Sequence, residues 1–310
     1  MIRTNSIQSS APSIGAIESL QHIYKTECFY TSLTNNLLSE SGSVFSYEDG
    51  RVVFHFGNLI DFTIKLLSYI CKQLKVILKA ITVKANDVNL DNSRFLYKYG
   101  ARLNKLKSLE YEMDAYNIDV VFNNPILHAT NVGFNTKVSF DNARGMLLDG
   151  KKIFKTNDDL NNLIAETRAK MLGRDNKSYL ISDEAFKDMI EFGFGDKNSK
   201  RLATIGLALQ MINSYDDRMK KLKIMNTNYI TQAEQDIKEL NRLKALLGDK
   251  NTKISRNMSG EDLKWQFDML IRYRKQTMND CMLIIGTLSE YIGNANKQAK
   301  SICIRALQEN

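Results

Sequence analysis

The sequence predicts a mainly α protein with an α+β N-terminal part, ending in a long antiparallel two-helix hairpin and carrying a small β-hairpin near residues 44–56. Three observations predict it. Apolar residues in the second half recur at alternating spacings of four and three, the signature of helices packed along a seam. Only two prolines occur among 310 residues, Pro12 and Pro125, so nothing in the second half breaks a helix as proline does. The strand signal is confined to VFSYEDGRVVFHF, where β-forming residues flank Asp49-Gly50, a dipeptide suited to the positive φ angles of a tight turn.

The length suggests more than one domain. The pattern divides into a flexible arm (1–16), a mixed α+β domain (17–150), a helical connector (151–196) and the long helical hairpin (197–310). The opening MIRTNSIQSSAPSIGAIESL lacks the uninterrupted apolar core of a signal peptide, so secretion by that route is not expected. Ile17 to Leu38 shows apolar periodicity and predicts one or two helices.

From Leu59 to Val83 the period is helical. Ile60, Ile64, Leu67, Ile70, Leu74, Ile77 and Ile81 share one face, and Lys65, Lys72, Lys75 and Lys79 stand on the other. The charges are too many for a membrane span, so no transmembrane segment is expected. Packing on the rest of the domain is the first use of this amphipathic helix. Its Lys65, Lys72 and Lys79 face could also meet a partner or a membrane surface. A break at Asn86–Asn92 is expected, followed by helical spacing that turns Leu96, Leu103, Leu106, Leu109 and Met113 inward. Residues 117–150 lose that period, and IDVVF and KVSF suggest short strands. Asn157 with Asp158 and Asp159, and Ser182 with Asp183 and Glu184, read as helix starts. GFGD at 193–196 reads as a hinge.

The hairpin follows. Its second helix carries a seam of Phe267, Ile271, Arg274, Met278, Cys281, Ile285, Leu288, Ile292, Ala295, Ala299, Ile302 and Ala306, in which Arg274 is the one charged member. Its first helix offers Leu202, Ile205, Leu209, Ile212, Met219, Leu222, Tyr229, Ala233, Leu240, Leu243 and Leu247, interrupted by Asp216, Asn226 and Asp236. Gly248-Asp249 supplies a stop, and Ser259 with Glu261 and Asp262 a fresh start. In an antiparallel hairpin facing positions have a nearly constant sum, and a turn centred near Ile254 sets Arg274 opposite Glu234 and Asp236. A charge in an apolar seam is costly unless paired, so an Arg274 contact with Asp236 or Glu234 is expected to fix the register.

Chemistry is hard to find in these residues. His22, His55 and His128 show no metal-ligand spacing, and Cys28, Cys71, Cys281 and Cys303 form no CxxC pair. No nucleophile elbow, phosphate-binding loop or dinucleotide fingerprint occurs. Cys281 lies on the seam and reads as a small core residue. Neither an enzyme nor a cofactor is expected. The formal net charge of +8 favours anionic partners, although the basic residues are spread through the chain.

From Glu27 to Leu106, about a quarter of the chain, ECFYTSLTNNLLSE is followed by a variable insert, then NLIDFTIKLLSYICKQLKVILKAI, then DNSRFLYKYGARL. That order resembles internal and structural virion proteins of large tailed bacteriophages. The resemblance implies a non-enzymatic component inside the capsid, at the head–tail junction or in the tail, assembled in the host bacterial cytoplasm. Its partners would be other virion proteins or further copies of itself, with packaged nucleic acid as a possible contact. The alternative, suggested by charge alone, is a nucleic-acid-associated or host-directed binding protein.

Overall fold

A computed structural model describes residues 55–123, 126, 138, 140–172, 182–191, 198–248 and 258–310. The chain divides after Asn58 into two units. Within the second, Leu59–Asn310, the path is governed by three long helices. They are α1 (His55–Lys105, 51 residues), α6 (Ile205–Gly248, 44 residues) and α7 (Gly260–Glu309, 50 residues). Between α1 and α6 come strand β1 (Glu110–Asp114), the short helices α2 (Ala115–Phe122), α3 (Asp141–Asp149), α4 (Asn157–Met171) and α5 (Asp183–Glu191), and strand β2 (Lys200–Thr204).

The inner row of α1 explains why it packs. Ile60, Thr63, Leu67, Ile70, Leu74, Ile77, Ile81 and Ala85 are all buried, and as far as Ile81 they alternate spacings of three and four along the helix. Side-chain contacts then set direction. Against α6, Asp61 meets Lys244, Lys75 meets Glu234, Asn89 meets Asp216 and Asn92 meets the Ile212 carbonyl, so one number falls as the other rises and the pair is antiparallel. Against α7, Lys84 lies beside Gly293 and, further along, Asp91 meets Lys300, so both numbers rise together and that pair is parallel. The C-terminal helix pair is antiparallel, as its sequence predicts, and α1 adds a third long helix to it.

Helix α1 runs unbroken through Asn86–Asn92, where the sequence reads as a break. The polar residues that suggest one are satisfied by the neighbouring helices. Asn92, buried, exchanges amide hydrogen bonds of 3.0 and 3.1 Å with Asn296 and donates a third, of 3.2 Å, to the Ile212 carbonyl. Asn89 donates to Asp216 at 2.5 Å.

The helix stops at Lys105, and the chain turns into β1 instead of continuing helically through Met113. Strand β1 pairs antiparallel with β2, Met113 opposite Arg201 and Tyr111 opposite Ala203. Tyr111 and Met113 alternate inward as a strand requires, and Met113 is fully buried. Leu202, expected on the seam, lies on β2 and is 62% exposed. The ribbon also completes the start of α6. The Ile205 and Gly206 amides donate to the Leu109 and Lys107 carbonyls, each at 2.9 Å, and the Leu207 amide donates to Thr204 Oγ1 at 3.1 Å. A Cβ at Gly206 would stand 3.4 Å from the Lys107 carbonyl oxygen.

IDVVF forms α2 and is not a strand. Asp114 starts it by accepting the Tyr116 amide at 3.0 Å, and Ile118, Val120 and Val121 are buried. Of KVSF, Phe140 is a described residue; it precedes α3 and packs its ring on Phe267 with centroids 5.6 Å apart. Helix α4 begins where the acids predict, with Thr156 and Asp159 closing a reciprocal cap. At α5 the Ala185 amide donates to Ser182 Oγ at 3.1 Å. Helices α2, α4 and α5 and strand β1 all pack on α7. These elements and the long helices belong to the same unit, Leu59–Asn310.

Asp49, Gly50 and most of the 44–56 hairpin lie outside the described residues, as does the 193–196 hinge. His55 and Phe56, read as the end of the second strand, are the opening residues of α1.

Candidate functional site

The densest set of buried polar side chains lies on one stretch of α7. Arg274, Thr277 and Asp280 are 1%, 2% and 5% exposed, beside fully buried Tyr273 and Cys281. Each is turned toward a different neighbour by the 100° step of the helix.

Arg274 faces α6. Its Nη2 donates to Asp236 Oδ1 at 3.2 Å and its Nε lies 3.1 Å from Oδ2, while Gln232 Nε2, one turn earlier on α6, donates to the same carboxylate at 3.2 Å. Of the two acids placed opposite Arg274 by the hairpin geometry, the structure selects Asp236. Glu234 is two residues further round α6 and leaves the seam. It pairs instead with Lys75 of α1 at 2.7 Å, both side chains about half exposed (52% and 56%).

Asp280 faces α4. Arg168 grips it with two donors, Nε to Oδ2 at 2.7 Å and Nη2 to Oδ1 at 3.1 Å, a fork geometry that a lysine could not reproduce. Gln276 Nε2 adds a third donor at 3.0 Å, Asp183 of α5 takes the outer side of the guanidinium, and the Phe186 ring lies 4.9 Å from its centre. Tyr273 and Thr167 join hydroxyls at 2.9 Å. Further along, Gln266 Oε1 accepts the Ile153 and Phe154 amides, each at 2.9 Å, which pins the strap before α4 to α7.

Sequence reasoning missed the Arg168–Asp280 node. Arg274 was visible as a lone charge in an apolar seam, whereas Asp280 lies beside that seam and Arg168 sits in a helix with ordinary polar spacing. The one local signal was the acid at Asp183, which also reads as a helix start.

The thiols are placed for packing. Burial pushes the Cys281 thiol well above its ordinary range and does the same to the Tyr229 hydroxyl. Burial raises Cys303 to about 12. A protonated thiol is a poor nucleophile and a poor metal ligand. Cys71 lies 4.0 Å from Glu234 Oε1. His22, His128 and Cys28 lie outside the described residues, and His55 opens α1. Among the described residues, no group of three or more His, Cys, Asp or Glu side chains is placed to hold a metal ion. No described helix is long and apolar enough to cross a membrane. Lys65, Lys72 and Lys79 are exposed on the outer face of α1.

The belt can hold α4, α6 and α7 at one rotation and one height, because sliding any of them by a turn would separate buried opposite charges. The chain matches no family model, no curated protein and no solved structure.

Proposed function

We propose that the chain is a non-enzymatic structural and assembly protein, a component of the virion of a large tailed bacteriophage. The observation that supports this reading best is the belt on α7. A buried ion pair is often no more stabilising than apolar residues of the same volume, and its best-attested use is to specify alignment. Two such pairs, Arg274–Asp236 and Arg168–Asp280, sit less than two helical turns apart and serve three helices. A defined alignment of long helices suits a spacer or building block in a repeating assembly, where an error in one subunit is copied along the array. The segment order from Glu27 to Leu106 supports placing that assembly in a phage particle. Partners on this reading are other virion proteins or further copies of the chain.

Quantitative mass spectrometry of particles purified through successive density gradients tests it. The expected result is recovery at constant stoichiometry to the major capsid protein across independent preparations. Loss of the protein on purification, or a ratio that varies between preparations, would overturn the virion assignment.

A further inference from the structure

The outer face of α1 carries a row that the bundle does not use. Val76, Val83, Leu90 and Tyr97 are 48%, 54%, 53% and 95% exposed and stand seven residues apart. Tyr69 and Phe62 continue the same spacing toward the N-terminus, half-buried. Single exposed apolar residues are ordinary on a protein surface; a run at heptad spacing is a pattern.

The charges beside the row are predominantly positive. Lys65, Lys72, Lys79 and Arg94 are exposed within about 60° of it around the helix. No carboxylate among the described residues pairs with any of them. Asp61 and Asp91, the nearby acids that could balance them, are held by Lys244 and Lys300. Asp87 is the acid of the described residues that remains on this face.

Spacing and charge together select the occupant. A strict seven-residue repeat drifts by about 20° per heptad around an α-helix, so the row winds slowly as it climbs. A second helix can follow that path by supercoiling, whereas a flat bilayer would meet only part of it. A second copy of this chain would set lysines and arginines against one another in either orientation, which is repulsive. We propose that this row is a docking surface for an amphipathic helix of a partner protein, with apolar residues at heptad spacing flanked by glutamate or aspartate. The inference rests on the assembly reading only for where the partner comes from.

Binding of a labelled synthetic peptide to the full-length protein, followed by fluorescence anisotropy, tests it apart from particle incorporation. The probe is a helix of about four heptads with Leu and Ile on the seam and Glu beside it. An isomer of the same composition in scrambled order, phosphatidylserine vesicles and duplex DNA are run in parallel. The heptad peptide is expected to bind at least about tenfold more tightly than its scrambled isomer, and to weaken as salt is raised. Val83→Glu combined with Leu90→Glu should abolish that binding, with circular dichroism and melting unchanged because both side chains face solvent. Lys72→Glu with Lys79→Glu should weaken the Glu-flanked peptide and strengthen a Lys-flanked version. Equal binding of the scrambled isomer, or indifference to Val83→Glu/Leu90→Glu, would overturn the proposal. So would vesicle or DNA binding, or self-association in sedimentation, that depends on these residues while the peptide fails to bind.

Discussion

Arg274 occupies a position where every neighbour along the seam is apolar or small, and burial of its guanidinium is tolerable because Asp236 faces it across the hairpin. Removing one partner leaves the other buried and uncompensated, a loss of about 3–5 kcal/mol in comparable pairs. Arg274→Met is expected to destabilise the fold by that order, and Arg274→Met with Asp236→Leu to recover much of it, giving a large coupling in chemical denaturation. Glu234→Ala serves as the control. Glu234 is half exposed and paired with Lys75, so its loss should cost about 1 kcal/mol or less. A cycle in which Glu234 couples to Arg274 more strongly than Asp236 does would refute the observed register. The pairing was legible because a lone charge in a seam demands a partner and hairpin arithmetic narrows the choice to one turn. The choice between positions 234 and 236 was not, since it depends on which side of α6 faces α7 and which faces α1.

Helix α1 shows how a polar interval can be misread at the scale of an element. Asn86, Asp87, Asn89, Asp91 and Asn92 look like a loop in isolation, because short polar side chains compete for backbone hydrogen bonds. Here Asn89, Asp91 and Asn92 are engaged by Asp216, Lys300 and Asn296 on two other helices, and the backbone stays helical. Asp87→Pro separates the two descriptions. In a loop it would be nearly neutral, whereas inside a continuous helix it removes a hydrogen bond and clashes with the preceding turn. A loss of about 3 kcal/mol or more is expected in the denaturation midpoint and slope. An unchanged midpoint would restore the break. The opposite error occurred at IDVVF, where β-branched residues suggested a strand. Its apolar side chains are instead buried in a short helix against α7, so burial outweighed propensity. Helix α7 is buried nearly all round, and its seam accounts for only one side. The rest is covered by α2, α4, α5 and β1, whose approach no period in α7 announces.

At the scale of the whole molecule, acid stability is set by carboxylates spread over separate junctions. The Lys155 and Thr156 amides hold Asp159 below its ordinary 3.8, Lys220 and Asn89 do so for Asp216, and Lys152 and Ser259 for Asp262. Because each folded-state value lies below the unfolded one, their stabilisation is complete above that pH and is lost as the pH falls through the folded-state values. Burial pushes Asp268 and Asp280 the other way, against Arg272 and Arg168, which blunts the acid limb. The melting temperature is expected to be level above about pH 5 and to fall below about pH 4, and Asp159→Asn/Asp216→Asn/Asp262→Asn should flatten that limb. A melting temperature that rises on acidification from about pH 5 to pH 3 would contradict the balance. The sequence by itself determined the helical class, the antiparallel C-terminal pair, the place of Arg274, the inward row of α1 and the starts of α4 and α5. All of these follow from local periodicity, caps or the arithmetic of a single turn. Only the tertiary structure decided that α1 is one helix packed against both α6 and α7, that β1 and β2 join residues about 90 positions apart, and that Arg168 meets Asp280. Those depend on contacts between distant segments, and the asparagines, charges and strands that make them acquire their roles only when a partner surface is present to satisfy them.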